Sequence, residues 1–175
     1  AGHVLPALAV AESLTRRGVR VQFVGSPNQI EARLVSEAGY ELLPLHTSAL
    51  PRRLSLQGVR DFLSAVRAPF TARRLLRKHR PDVVMGGGGY VGGPVVLAAS
   101  LLQIPTVITE ADAHFGLANR LAAPFAKAVF LAYPIPGREE PKYRVVGRPI
   151  PLRSRATDDR NAARSFFGLP QEGKA

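Results

Sequence analysis

Short apolar runs alternate along this chain with amphipathic runs of about ten residues or more, and that alternation narrows the possible folds most. Val19 to Gly25 (VRVQFVG), Tyr40 to His46 (YELLPLH), Asp82 to Met85 (DVVM), Pro105 to Glu110 (PTVITE) and Val129 to Tyr133 (VFLAY) read as strands. Pro44 limits how far the second can pair. The intervening helices run from Pro27 to Ala38, Gln57 to Arg80, Val95 to Gln103 and Leu117 to Lys127. Val4, Leu8, Ala11 and Leu14 recur at helical spacing before Gly18, which marks a first helix. Ser26 is the expected N-cap of the second helix, Gly39 its stop, and Pro69 a point where the third could break. Strands alternating with helices require crossover connections. The expected fold is therefore α/β, a Rossmann-like parallel sheet with helices on both faces.

Composition excludes several classes. The chain has 175 residues, 46% of them hydrophobic, so it can bury roughly 70% of the surface that its unfolded form exposes. No cysteine is present, which removes disulfide frameworks, thiolate metal sites and cysteine nucleophiles. No apolar run reaches the ~18 residues of a membrane-spanning helix, and no signal-peptide pattern is visible. The sequence reads as cut at both ends. A helix begins within a few residues of Ala1, and a new one, Asp158 to Phe167, has nothing downstream to pack on. Five prolines between Pro134 and Pro151 suit a linker, so one domain is expected over 1–151 and the start of another over 152–175.

Ligands of open parallel sheets bind where strands turn into helices at the carboxyl edge. Three such junctions are unusual. Ala1-Gly2-His3 opens the first helix. Gly86 to Pro94 (GGGGYVGGP) holds six glycines in eight positions, at 86, 87, 88, 89, 92 and 93. Backbone without Cβ atoms lets a ligand approach, and the following helix end offers free N–H groups to a phosphate. A tight turn that needs small residues is the plainer reading. The third junction is Thr109 to Asn119 (TEADAHFGLAN), with Glu110 and Asp112 as candidate ligand carboxylates. Asp112 also reads as a cap for the helix near Gly116. His3 at a helix start would stay neutral and could serve as a base, or simply pack at the surface. The four histidines show no metal-ligand spacing.

Charge is concentrated in one segment. The chain carries 24 basic and 13 acidic residues, net +11. Arg52 to Arg80 holds nine basic residues against Asp61 alone, giving +8 of that total. Leu56, Val59, Phe62, Leu63, Val66 and Phe70 are interleaved with Arg60, Arg67, Arg73 and Arg74, and those from Val59 to Phe70 share one helical face. Such a helix either turns its apolar face to the core and its charge to water, or lies on an anionic membrane. No nucleic-acid motif accompanies the charge, so nucleic acid is not an expected partner.

The segments GHVLPALAVAESLTRRG, GGGGYVGGPVVLAASLLQIPTVITEADAHFGLANRLA and VVGRPI, in this order and spacing, resemble the MurG family from residue 1 to about 169. That resemblance implies the N-terminal half of a GT-B glycosyltransferase. Its family transfers N-acetylglucosamine from UDP-N-acetylglucosamine to the undecaprenyl-linked acceptor lipid I, giving lipid II for peptidoglycan. It implies no cofactor or metal, an acceptor on this half, and UDP sugar mainly on the other half. It also implies a peripheral position on the cytoplasmic face of the bacterial membrane, through an apolar patch ringed by basic residues. The family's first strand and most of its GGTGGH-like loop have no counterpart before Ala1, which predicts a gap in the sheet. By the same resemblance His3 is the catalytic candidate, with Glu110 and Asp112 as rivals. Gly2, Gly87, Gly88, Gly89, Tyr90, Gly92, Gly93, Asp112, Asn119, Arg148 and Arg153 become substrate-binding candidates. The chain departs from the family's HEQN at Thr109 and Asp112, and from its NPVR at Pro151. Those departures leave open transfer to another membrane lipid or of another sugar, and the basic segment leaves open a non-enzymatic module for anions or nucleic acid.

Overall fold

The computed structural model describes residues 3–47, 56–152 and 159–172, apart from the side chains of Leu56, Gln57 and Asp61. The order is α1 (Val4–Thr15), β1 (Gln22–Gly25), α2 (Ile30–Glu37), β2 (Glu41–Pro44), α3 (Leu56–His79), β3 (Val84–Gly86), α4 (Gly89–Leu101), β4 (Thr106–Glu110), α5 (Leu117–Ala122), a 3-10 turn (Ala123–Phe125), β5 (Ala128–Leu131), β6 (Tyr143–Val145) and α6 (Arg160–Phe166). Every strand pair is parallel. The strands form two sheets, β1-β2 and β3-β4-β5-β6, so β1 and β3 are both edges among the described residues.

One core spans that interruption. Leu45, just past β2, packs with Ala72 and Leu76 of α3, Val84 of β3 and Val95, Ala98 and Ala99 of α4, and Val24 of β1 joins them. A second cluster sets Val96 of α4 against Ile108, Val129 and Leu131 of the larger sheet. A third ties α1 to α2 through Val4, Leu8 and Val35. Coverage is uneven. β4 buries Thr106, Ile108 and Glu110, whereas β1 buries Gly25 alone. Gln22 pairs with Glu41 in register and donates to its carboxylate, and that hydrogen bond holds the Glu41 carboxyl below its ordinary range.

Several local expectations need correction. The cap of α2 is Gln29, not Ser26, with no side-chain hydrogen bond. α3 runs unbroken through Pro69. An interior proline costs about 3 kcal/mol, and burial of Ala68, Ala72 and Leu76 opposes the break. α4 starts at Gly89, six residues before Val95, because the glycine run itself supplies its first turn. The proline-rich stretch after β5 is not only a linker. Tyr143, Arg144 and Val145 pair with Val129, Phe130 and Leu131 as a fourth parallel strand. Beyond it, the Leu152 N–H donates to Glu12 Oε2 at 2.9 Å and fastens the chain back onto α1.

Leu45 is fully buried, while Phe70 on α3 is 68% exposed. Leu45→Ala should therefore cost about 2–5 kcal/mol, and Phe70→Ala should stay within about 0.5 kcal/mol of the parent. Urea denaturation of the two variants measures both, and a large loss for Phe70→Ala would place that ring in the core.

Candidate functional site

Two junctions and the start of α1 meet at the carboxyl edge of the larger sheet. β3 ends in Gly86, where an added Cβ would lie 2.7 Å from Val96 Cγ2, so this glycine lets α4 pack on the strand. Gly88 caps α4 with φ +88°, a conformation that side chains disfavour. A Cβ there would stand 3.2 Å from His3 Nδ1 and 3.5 Å from Asn119 Nδ2. The imidazole at the start of α1 and the amide on α5 thus both close on the backbone of Gly88.

The remaining glycines divide differently. Gly89 has φ +69° and completes the turn. Gly87 and Gly92 would meet other atoms only at 3.8 Å, and Gly93 would meet nothing within 4 Å. Packing therefore explains Gly86 and Gly88, and backbone conformation Gly89, whereas there is room for side chains at 87, 92 and 93. Tyr90, Gly92 and Gly93 lie in the first turns of α4 rather than in a loop. The leading N–H groups of an α-helix have no intrahelical acceptor, and no side chain caps this one. Free N–H groups at such a helix end suit an anion.

Glu110 ends β4 and is 3% exposed. Its Oε1 accepts the Asp112 N–H at 3.2 Å. Its Oε2 accepts the Gly116 N–H at 2.9 Å and Asn119 Nδ2 at 3.0 Å. Asn119, also buried, gives its other amide hydrogen bond to the Thr109 carbonyl at 3.1 Å. The carboxylate thus organises the β4–α5 turn and fixes the amide that abuts Gly88. It is placed to position, with both oxygens engaged and little access to a substrate. Asn119 likewise spends its donors internally. Asp112 does not cap α5. Gly116 is the cap residue, and the Asp112 side chain is exposed beside the junction. Of the three catalytic candidates, His3 and Asp112 are exposed.

The outside of the same turn is clasped by groups that the sequence reading missed. Arg138 lies 5.1 Å from the Phe115 ring centre and 5.2 Å from that of Tyr143, and the rings meet edge to face at 6.0 Å. An arginine in a proline-rich stretch gives no hint of such a contact until β6 is known to bring Tyr143 alongside. Arg148 is exposed, three residues past β6. Gly2 and Arg153 lie outside the described residues. Among the described residues no cluster of His, Asp or Glu could hold a metal ion.

The apolar stripe of α3 faces away from the core. Ala68, Ala72 and Leu76 face the core, whereas Val59, Phe62, Leu63, Val66 and Phe70 are exposed. Arg60, Arg67 and Arg74 flank them in solvent, and Arg73 is half-buried. No helix among the described residues is long and apolar enough to cross a membrane.

This architecture defines the class of the chain, the N-terminal Rossmann-like half of a GT-B glycosyltransferase. It superimposes on the Acinetobacter baumannii MurG crystal structure with a TM-score of 0.71 and 32% identity, over 87% of this chain and 43% of that one. The glycosyltransferase of kitacinnamycin shares the fold at TM-score 0.63 and 18% identity, over 89% and 51% of the respective chains. The model of the glycosyltransferase family 28 N-terminal domain matches residues 1–131, and the chain belongs to that family. Among curated relatives, the UDP-N-acetylglucosamine–N-acetylmuramyl-(pentapeptide) pyrophosphoryl-undecaprenol N-acetylglucosamine transferase of Halothermothrix orenii is 44% identical over 154 residues, 85% of this chain and 42% of that protein. The transferase of the same name from Acidithiobacillus ferrooxidans is 45% identical over 153 residues, 85% of this chain and 41% of that protein. The chain thus spans less than half the length of the curated relatives it matches.

Removing the Glu110 carboxylate strands buried donors, at about 1–3 kcal/mol for each unsatisfied group. Glu110→Ala and Gly88→Ala should each lower the denaturation midpoint clearly, whereas Asp112→Asn, at an exposed side chain, should leave it in place. Thermal melts of the three variants test this, and a silent Glu110→Ala would remove the carboxylate from its organising role.

Proposed function

We propose that this chain supplies the acceptor side of an inverting hexosyltransferase. The enzyme transfers N-acetylglucosamine from UDP-N-acetylglucosamine to the undecaprenyl-linked lipid I at the cytoplasmic face of the bacterial membrane. The names of relatives at 44–45% identity support the chemistry. The observation that carries the reading is the His3 imidazole set against Gly88 at the open end of α4. A lipid diphosphate seated on the free N–H groups of α4 would bring the acceptor sugar toward His3. His3 takes the proton from the attacking hydroxyl. That oxygen displaces UDP from the anomeric carbon with inversion, and the helix end offsets charge on the bound diphosphate. Asp112 is the alternative proton acceptor. The UDP sugar is held mainly by protein beyond this chain, so the isolated chain binds acceptor without transferring sugar.

The outward apolar stripe of α3 and its arginines support a peripheral membrane contact. In the full-length protein, His3→Ala should lower kcat by about 10²–10⁴-fold while vesicle binding stays unchanged. Transfer of labelled N-acetylglucosamine to a lipid I analogue measures the first, and unaltered turnover would eliminate His3 as the base. Co-sedimentation should show the chain bound to anionic vesicles and free of neutral ones. Indifference to both would dismiss the membrane contact.

A further inference from the structure

A cavity of about 540 Å³ opens beside β6, the last strand of the larger sheet. Its apolar wall comes from Pro134, Ile135 and Pro136, which follow β5, and from Tyr143 and Val145 of β6. Its polar wall is Arg138, Glu139 and Glu140. Arg138 already faces the Phe115 and Tyr143 rings. Glu139 and Glu140 are exposed and form no ion pair among the described residues. A chain of net charge +11 thus sets two adjacent carboxylates beside an apolar wall. β6 also offers its main chain, because it is an edge strand among the described residues. The Lys142 carbonyl accepts the Val129 N–H, and the Val146 N–H donates to the Leu131 carbonyl, so those residues turn toward β5. The groups of Tyr143 and Val145 then point to the other edge. The Tyr143 N–H is bonded to the Glu139 carbonyl, which leaves the Tyr143 carbonyl and both main-chain groups of Val145 on the open side. Such an edge is a template for a further strand. The Tyr143 and Val145 side chains share the face that lines the cavity. A strand added here would carry every second side chain over that cavity.

We propose that this edge and cavity bind a short, extended, basic segment of a partner protein. The main chain of that segment pairs with Tyr143 and Val145 by strand addition. Its alternate lysine or arginine side chains lay their methylene stems along the apolar wall and bring their charge to Glu139 and Glu140. Pro141 and Pro149 bracket the edge, so the paired stretch is only a few residues long. Charge complementarity selects a basic segment over an acidic one. Long-range attraction to a chain of charge +11 works the other way and favours an acidic segment. A preference for a basic peptide therefore reports the local carboxylates and not the overall field.

The test titrates short peptides into the isotopically labelled chain and follows its amide chemical shifts. One peptide alternates threonine with lysine, a second alternates threonine with glutamate, and a third is the lysine peptide methylated on alternate main-chain nitrogens. The Glu139→Gln/Glu140→Gln double variant is compared with Glu37→Gln/Asp82→Asn, which removes the same charge from exposed positions elsewhere. Unchanged melting temperatures confirm intact folding. The lysine peptide should shift the Val145 amide and bind about tenfold more tightly than the glutamate peptide. The Glu139→Gln/Glu140→Gln variant should lose most of that affinity, the control variant little of it, and the methylated peptide should bind weakly. Preference for the glutamate peptide, equal losses in the two double variants, or no binding at all overturns the proposal. Undiminished binding of the methylated peptide overturns the strand pairing. Spermidine that displaces the lysine peptide at equal concentration makes this a site for small polyamines and overturns the assignment to a protein segment.

Discussion

A single buried carboxylate holds the working edge of this molecule together. Glu110 gathers two backbone N–H groups from a turn that has no regular structure of its own and one side-chain amide from α5. A buried carboxylate is stable only when donors compensate its lost hydration. The turn therefore cannot leave without stranding a charge, and the charge cannot be desolvated without the turn. Asn119 passes the constraint onward to Gly88, against which His3 also rests. The amide beside Gly88 is thus held by an acid two elements away from the imidazole.

The other constraint is steric. α3 presents apolar residues on two faces, and the smaller set is buried. Ala72 packs against α4 and Ala68 is buried, while the larger Val59, Phe62, Leu63, Val66 and Phe70 face outward. A protein optimised for burial alone would do the reverse. Exposed aromatic and branched residues on one stripe, edged by arginines, have the composition of a surface that loses its water elsewhere.

The order and kind of the elements were legible because strand and helix periods differ so clearly along the chain. The boundaries were less so. The start of α4 was hidden because glycine is the poorest helix former after proline, yet Gly89, Gly92 and Gly93 are helical here. β6 was hidden among prolines, since none falls within its three residues and its pairing depends on β5, twelve residues upstream. The periodicity of α3 located an apolar face without giving its direction, because direction depends on what α4 offers. His3, Gly88 and Asn119 were each visible as candidates. Their convergence was not, because it joins residues 3, 88 and 119 across three elements. The role of Glu110 was equally hidden, since a carboxylate after a strand looks the same whether it faces a ligand or its own turn.

The hydrogen bond from Leu152 to Glu12 has a mechanical consequence. Glu12 lies nine residues after His3 on the same helix, about 13 Å along its axis. A helix transmits displacement along its length as a stiff rod. Leu152 is therefore tied to the same rod that carries the imidazole at its start, with a lever arm of that length between them.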